Sequence, residues 1–169
     1  MSSRDRLLTE SGSVMQQFMA CAVLYQDAVA RQVGLNGTDL QALGVLVSDG
    51  PTSPGRLAQR TGISAGGAIT QLIDRLERAG YARRERDTAD RRRVLVIADN
   101  DRVNATLEPL YAPIAQQWTT YLSGLSTSEL GAGIAMLRQA VEINPAELER
   151  LGSAARPTSD DSTDVPAEA

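Results

Sequence analysis

Residues 53–80 read SPGRLAQRTGISAGGAITQLIDRLERAG and predict two short helices joined by a tight turn. Ser53 followed by Pro54 is typical of a helix N-cap with proline at the first helical position. Ser64 is predicted to cap a second helix over residues 65–79. Apolar side chains recur on one face of this second helix, namely Ala68, Ile69, Leu72, Ile73 and Leu76. The opposite face is left with small and polar residues that point outward.

Residues 81–98 follow directly, read YARRERDTADRRRVLVIA, and predict a β-hairpin. Residues 81–86 and the β-branched run 94–97 are the expected strands, and the polar residues 87–90 are the expected turn. Helix, turn, helix and arginine-rich hairpin is the element order of a winged helix-turn-helix. We therefore predict a mostly α (α+β) fold with a two-stranded wing.

The residues before this stretch predict two helices. Apolar residues recur at spacings of three and four between Met15 and Val33, which predicts an amphipathic helix over about residues 7–33. Asn36 is predicted to cap a shorter helix that includes residues 40–47.

The residues after the hairpin predict two long helices. One carries apolar side chains over residues 107–125, and Ser126 with Glu129 forms a capping box that opens the other. Pro109 is expected near the start of the first helix, where proline is tolerated. Pro113 removes an internal hydrogen bond and is expected to bend that helix.

These elements divide the 169 residues into three parts. Residues 35–100 are predicted to form the winged helix-turn-helix domain. Residues 1–34 and 101–151 are predicted to form a helical region of N- and C-terminal helices. Residues 152–169 contain mainly Ser, Ala, Thr, Pro and acidic residues with little to bury, which predicts a disordered acidic tail.

The composition excludes several kinds of site. The chain has no histidine and a single cysteine, Cys21, so we expect no metal, no cofactor and no intrachain disulfide. Cys21 has no basic residue in the adjacent turns, which favours a small buried core thiol over a redox-sensing thiol. No segment resembles a secretory signal or contains about 18 apolar residues in a row. We therefore expect a cytoplasmic protein without a membrane partner.

The net charge of −4 argues against nucleic-acid binding, but the distribution of charge reverses that conclusion. Residues 75–93 contain eight arginines against four acidic residues. Such a cluster of arginines favours an anionic partner.

The outward face of the second helix supplies the candidate contacts with the major groove of DNA. These candidates are Ser64, Ala65, Gly67, Thr70, Gln71 and Arg75. Gln71 is suited to adenine, Thr70 to a base or a thymine methyl group, and Arg75 to guanine or phosphate. Backbone amides at the helix starts near Ser53 and Ser64 are suited to phosphate oxygens.

The hairpin supplies the candidate contacts with the minor groove. Arg91, Arg92 and Arg93 follow the turn, and because side chains alternate along the second strand, one or two of them are expected to project together from the tip into the minor groove. Asp90 is expected to orient a neighbouring arginine by a bidentate contact. Arg84, on the same hairpin, is the remaining candidate for a DNA contact.

The chain resembles the MarR family of multiple-antibiotic-resistance-type regulators. The residues that carry the resemblance are 57–64 (LAQRTGIS), 72–77 (LIDRLE), 79–81 (AGY) and 90–96 (DRRRVLV). The Asp-x-Arg element of the family's wing maps to Asp90 and Arg92, which implies that Arg92 enters the minor groove while Asp90 holds it.

The resemblance also implies a homodimer whose interface is built by the first helix and the last two. Such a dimer would bind a pseudo-palindromic duplex with half-sites about one helical turn apart. Many members bind small phenolic or lipophilic effectors, for which Tyr25, Tyr111 and Trp118 are candidate contacts, although aromatic residues at this spacing are more often core or dimer contacts. Repression relieved by such an effector follows from the family analogy alone.

Parts of the sequence are also compatible with two other functions. The pattern Gly-Ile-Ser-Ala-Gly at residues 62–66 matches a hydrolase nucleophile elbow, but the chain has no histidine to act as general base, so we expect no enzyme. A winged-helix module that binds an acidic protein instead of DNA remains the alternative. The sequence does not indicate the operator, the regulated genes, the effector, activation or repression, or whether Cys21 is redox-active.

Overall fold

The computed structural model describes residues 2–64 and 66–154, which form six helices and one antiparallel hairpin. In chain order the elements are α1 (Ser3–Gln32), α2 (Gly37–Asp49), α3 (Pro54–Thr61), α4 (Gly67–Arg78), β1 (Ala82–Arg86), β2 (Val94–Ala98), α5 (Asn100–Ser123) and α6 (Thr127–Ala154). The predicted mostly helical fold with a two-stranded wing is therefore confirmed.

The chain divides into two compact units between Gln116 and Gln117. The first unit contains α1 to α4, the hairpin and most of α5, and it holds one continuous buried core. The second unit contains the end of α5 and α6. None of the described side chains of α6 is buried within the single chain.

Helix α1 begins at Ser3, about four residues before the predicted start. The reason is a capping box, in which the Ser2 hydroxyl accepts from the Asp5 amide and the Asp5 carboxylate accepts from the Ser2 amide. Only Val29 and Ala30 of this helix are buried.

Cys21 was expected to be a buried core thiol, and that expectation was wrong, because the structure leaves it exposed. It lies on the part of α1 before Tyr25, Val29 and Ala30, the residues of this helix that pack on or within the core of the single chain.

Helices α2 and α3 begin as predicted. The Asn36 side chain accepts from the Asp39 amide at 2.8 Å, and the Asp39 carboxylate accepts from the Asn36 amide at 3.4 Å. Ser53 caps α3, with Pro54 in the first turn. The turn after α3 uses Gly62 at φ 70°, in the left-handed region.

Helix α4 does not begin as predicted, because Gly66 rather than Ser64 is its N-cap and makes no side-chain capping hydrogen bond. The φ of Gly66 is 111°, which a residue with a side chain rarely adopts. The apolar face consists of Ile69, Leu72, Ile73 and Leu76, all buried. Ala68 was assigned to this face wrongly and is exposed.

The hairpin pairs β1 with β2 in a register that places Ala82 opposite Ala98 and Arg86 opposite Val94. A third segment joins it, because Thr52 and Val96 exchange two backbone hydrogen bonds of 3.0 and 2.8 Å. The residues immediately before α3 are thereby attached to the middle of β2, at the residue opposite Arg84.

The two C-terminal helices differ from the prediction mainly at their ends. Helix α5 begins at Asn100, so Pro109 lies inside it rather than near its start, and the helix continues through both Pro109 and Pro113. The bend at Pro113 stays a prediction. The capping box between Ser126 and Glu129 is confirmed, and the two hydrogen bonds from Ser126 lower the pKa of the Glu129 carboxyl.

The segment 152–169 was predicted to be disordered from its first residue. Helix α6 instead continues to Ala154, so the first three of these residues are helical. Residues 155–169 lie outside the described part of the chain. No helix in the described ranges is at once long enough and apolar enough to cross a bilayer.

The capping assignments can be tested by chemical denaturation of the DNA-free protein at fixed concentration. Asn36→Ala removes a capping acceptor and is expected to lower the free energy of unfolding by about 1 kcal/mol. Ser64→Ala is the matched control, since Ser64 does not cap α4, and is expected to change it by less than about 0.5 kcal/mol. Equal losses for both variants would contradict the capping assignment.

Candidate nucleic-acid interface

The N-terminal half of α4 and the residues before it present an exposed surface. Ser64, Gly67, Thr70 and Gln71 are all exposed, whereas Ala65 lies outside the described residues. A Cβ atom added at Gly67 would meet no atom within 4 Å outside the adjacent residues and the local helix backbone, so open space lies above its backbone. The Thr70 hydroxyl donates to the Gly66 carbonyl at 3.0 Å, which leaves its methyl group and an oxygen lone pair available.

The structure gives Arg75 a partner that the sequence interpretation missed. Its guanidinium donates from Nε to both carboxylate oxygens of Asp39, at 3.1 and 3.0 Å, and from Nη2 to Oδ1 at 2.7 Å. The side chain of Asp39 is only 2% exposed, whereas that of Arg75 is 39% exposed. Hydrogen bonding to Asp39 raises the pKa of Arg75 above its usual value, so the guanidinium stays charged.

Asp39 therefore serves two elements at once, because it also closes the capping box of α2. The sequence interpretation treated it only as a favourable negative charge at the start of α2. Pairing across 36 positions of the chain carries no local sequence signal, which explains why the contact was missed. Arg75, expected to be free for guanine or phosphate, instead joins α4 to α2.

Arg84 also has internal partners. Its guanidinium forms ion pairs with Asp74, at 2.8 Å from Nη2, and with Glu77 through Nη1. Nη2 further donates to the Thr70 carbonyl at 3.4 Å, and the Arg84 amide donates to the Glu77 carboxylate at 2.7 Å. The spacing of Asp74 and Glu77, three apart on one helix face, is the one sequence signal for this cluster.

The tip of the wing differs from both of these sites. Arg91, Arg92 and Arg93 are all exposed and precede β2 rather than lying within it. Among the described residues, no carboxylate lies within ion-pair distance of any of the three, nor of Arg86. The hairpin thus carries a cluster of guanidinium groups whose charge is not neutralised by nearby carboxylates.

Asp90 orients the turn in a way that was not expected. Its carboxylate accepts from the backbone amide of Arg92 at 3.0 Å, and its carbonyl accepts from the amide of Arg93 at 2.8 Å. The predicted bidentate contact between Asp90 and a guanidinium is therefore absent from the described structure. A short acidic side chain followed by a turn favours this local backbone contact over a distant guanidinium.

The start of α3 is the remaining candidate contact. The Ser53 hydroxyl accepts from the Arg56 amide at 3.4 Å, and the Ser53 side chain is half-buried. The first turn of α3 is otherwise exposed at Gly55 and Arg56. The amide of Gly55 and the cationic Arg56 are suited to a phosphate oxygen.

The candidate effector contacts fall into two places. The Tyr25 and Tyr111 rings are 5.8 Å apart, and the Tyr25 hydroxyl donates to the Leu110 carbonyl at 2.7 Å. Burial raises the pKa of Tyr111 above its usual value, with Tyr25 adding to the shift. Trp118 belongs to the second unit, where its ring lies 6.1 Å from that of Tyr121.

A cavity of about 370 Å³ opens beside Leu110 in the first unit. Val33, Tyr81 and Arg102 line it, and the Arg102 guanidinium lies 5.4 Å from the centre of the Tyr81 ring. Gln32 and Thr106 complete the lining, so the cavity offers apolar and polar contacts and one cation.

Comparison with known proteins gives consistent matches. A profile of the MarR family matches residues 33–93. The chain is 34% identical over 150 residues to YcgE of Bacillus subtilis (strain 168), named an uncharacterised HTH-type transcriptional regulator. That alignment covers 89% of this chain and 96% of YcgE.

Solved structures share the fold. The transcriptional regulator Tm0710 from Thermotoga maritima superposes with a TM-score of 0.61 at 21% identity, over 82% of this chain and 98% of that protein. The regulator PcaV from Streptomyces coelicolor, solved in complex with its natural ligand, gives a TM-score of 0.51 at 21% identity, over 82% of this chain and 96% of PcaV.

The pairing of Asp39 with Arg75 can be tested by denaturation. Asp39→Asn removes the buried charge and is expected to lower the free energy of unfolding by about 2 kcal/mol, because a broken buried pair leaves unsatisfied polar groups. Asp49→Asn is the matched control, since it removes the carboxylate that pairs with exposed Arg60 at 3.0 Å. The control is expected to cost less than about 1 kcal/mol. A loss of less than about 1 kcal/mol for Asp39→Asn as well would contradict the buried pairing.

Proposed function

The chain belongs to the MarR family of DNA-binding transcriptional regulators, and from that premise we propose that it acts as a homodimer on a pseudo-palindromic duplex. In this proposal α4 enters the major groove and the tip of the wing enters the adjacent minor groove. Transcription is repressed while the dimer is bound. A small effector then relieves the repression.

One observation carries the proposal. The exposed face of α4 and the exposed arginines at the wing tip belong to the same compact unit, and Arg84 joins the two elements directly. Phosphates supply most of the electrostatic attraction in such complexes, and exposed guanidinium groups without carboxylate partners are the groups that attract them. A chain with a net charge of −4 can bind DNA this way because its cations are concentrated on one hairpin.

Each candidate contact has a role that fits its surroundings. Gln71 reads adenine, Thr70 contacts a base or a thymine methyl group, and the exposed backbone at Gly67 allows close approach. Ser64 and Ala65 precede the helix and approach the same groove. The start of α3 at Ser53 fixes a phosphate.

The arginines divide into two roles. Arg91, Arg92 and Arg93 contact the minor groove and its phosphates, while Asp90 shapes the turn that presents them. Arg75 and Arg84, already held by carboxylates, orient α4 rather than read bases. The guanidinium edge that Asp39 leaves exposed on Arg75 can add a phosphate contact.

The dimer is proposed from the apolar surface that the single chain leaves uncovered. Exposed large apolar side chains line α1 and α6, for example Val23 and Leu24 on α1 and Leu137 and Val141 on α6. Surfaces of this kind are expected to be covered in a stable protein. Residues 1–34 and 101–151 are accordingly the proposed dimerisation region, and 35–100 the DNA-binding domain.

The effector is proposed to be a small aromatic anion. PcaV holds its natural ligand in a structure of the same fold. In this chain the cavity beside Leu110 has Arg102 in its wall and suits an aromatic carboxylate. The Tyr25–Tyr111 pair is linked to it through the hydrogen bond from Tyr25 to the Leu110 carbonyl. Trp118 remains a candidate contact in the second unit. A regulator of this kind acts on chromosomal DNA, so we place it in the cytoplasm.

Arg92→Ala and Gln71→Ala test the two DNA contacts separately. The probe is the duplex that the wild-type protein selects from a random-sequence library, titrated at two salt concentrations. Arg92→Ala is expected to weaken binding to all duplexes and to lower the salt slope by about one, because a phosphate contact is lost. Gln71→Ala is expected to cost about 1 to 3 kcal/mol and to relax the preference at one base position.

Arg4→Ala is the charge-matched control, because it removes one arginine at the start of α1, outside the hairpin. It is expected to leave both the affinity and the salt slope within twofold of the wild type, as screening predicts for a distant charge. Undiminished binding by Arg92→Ala would remove the wing from the mechanism. Failure of the wild type to enrich any duplex would favour the protein-binding alternative, which family membership does not support.

The dimer is tested by sedimentation. The wild type is expected to sediment with about twice the 18.1 kDa mass of one chain. Leu137→Glu places a charge on the apolar face of α6 and is expected to shift the population toward monomer. Gln139→Glu introduces the same charge at a neighbouring exposed position and is expected to leave the dimer intact. A monomeric wild type would contradict the proposal.

A further inference from the structure

Arg84 is the side chain through which the wing holds the recognition helix. It stands in the middle of β1, and its contacts extend along two turns of α4, to the Thr70 carbonyl and the carboxylates of Asp74 and Glu77. Its own amide is also bound to Glu77, at 2.7 Å. Arg83, the preceding residue on the strand, pairs instead with Glu85 at 2.5 Å and contacts no part of α4 through this pair.

The charges around Arg84 argue against a direct contact with DNA. Two carboxylates bind one guanidinium, so the cluster has a net charge of −1. A phosphate that approached Arg84 would come close to both carboxylates and would be repelled by them. Two acidic residues beside a DNA-binding surface weaken binding unless they serve another purpose.

That purpose is to hold the hairpin in position against α4. A two-stranded hairpin is marginally stable alone and needs contacts with the rest of the domain to keep its position. The Thr52–Val96 bridge attaches the β2 side of the hairpin. On the β1 side, the polar attachment to α4 runs through Arg84. Multidentate pairing of a planar guanidinium fixes direction as well as distance.

Resting on the proposed DNA-binding function, we propose that Arg84 is a positioning residue that fixes the wing at a set distance from α4. Gln71 and the arginines of the wing tip then meet the two grooves of one duplex together. The carboxylates of Asp74 and Glu77 are part of this device, although each of them carries the wrong charge for a DNA contact. Without the ion pairs of Arg84, both DNA-binding surfaces are still present, but their relative position is no longer fixed.

The variant Asp74→Asn/Glu77→Gln separates positioning from direct contact. It removes two negative charges and frees Arg84, so it would strengthen DNA binding if Arg84 touched phosphate. If Arg84 positions the wing, the variant is instead expected to reduce the contribution of the wing to DNA binding, because a loosely held wing no longer brings Arg92 to the duplex. The quantity to measure is the factor by which Arg92→Ala weakens binding to the selected duplex, compared between backgrounds.

Arg92→Ala is expected to weaken binding about tenfold or more in the native background, and less than about twofold in the Asp74→Asn/Glu77→Gln background. Glu85→Gln is the matched control background, because its carboxylate pairs with Arg83 on the same hairpin. There the Arg92→Ala factor is expected to stay at its native value. Equal factors in all three backgrounds would overturn the proposal.

A DNA-free measurement decides the same question independently. Spin labels are attached at Thr88→Cys in the wing and Arg78→Cys in α4, in a Cys21→Ser chain diluted with unlabelled protein. The distance distribution is expected to be narrow in the native background and broad when Asp74 and Glu77 are neutralised. Equally narrow distributions would overturn the positioning role. Failure of the wild type to select a duplex would overturn the proposed function instead, so the two failures are distinguishable.

Discussion

The ion pair between Asp39 and Arg75 is the interaction on which the presentation of α4 depends. A buried carboxylate without a cation would cost several kcal/mol, so α4 is stable only in the rotation that brings Arg75 to Asp39. That rotation coincides with burial of the apolar face of α4, and it leaves Thr70 and Gln71 exposed. Apolar packing alone specifies a helix face loosely, whereas a bidentate contact specifies a direction. Because Asp39 also caps α2, the orientation of α4 and the start of α2 are fixed by one side chain.

The arginines of this chain fall into two sets that have different roles. Arg75 and Arg84 are held by carboxylates inside the domain, whereas Arg91, Arg92 and Arg93 lie on the surface without carboxylate partners in the described structure. The first set makes the domain rigid, and the second set gives it its affinity for an anion. The net charge of −4 does not reveal this division, because it adds together charged groups that interact with different partners.

Local signals in the sequence predicted most of the elements, because caps, prolines and apolar spacing act within a few residues. The N-caps at Asn36, Ser53 and Ser126 were correct for this reason. The start of α4 was wrong, because serine and glycine both favour helix starts and the glycine pair at 66–67 took the cap position. The Asp39–Arg75 pair was missed because it has no local pattern, and the attachment of Arg84 was missed because the spacing of Asp74 and Glu77 does not indicate which cation binds there. The prediction that Cys21 is buried was wrong, because apolar spacing indicates that a helix has an apolar face but not how much of that face is covered within one chain.

The bridge between Thr52 and Val96 attaches the paired strands of the wing at their middle, while the residues between Arg86 and Val94 lie beyond this attachment. Insertions and deletions that arise during evolution would therefore be tolerated at the tip and rejected within the strands, where a change of one residue would shift every strand partner to the opposite face. Members of the family can then diverge in how far the wing reaches along a duplex while keeping the same domain beneath it. Operator preference would evolve through the length of a loop as readily as through the identity of a base-reading side chain.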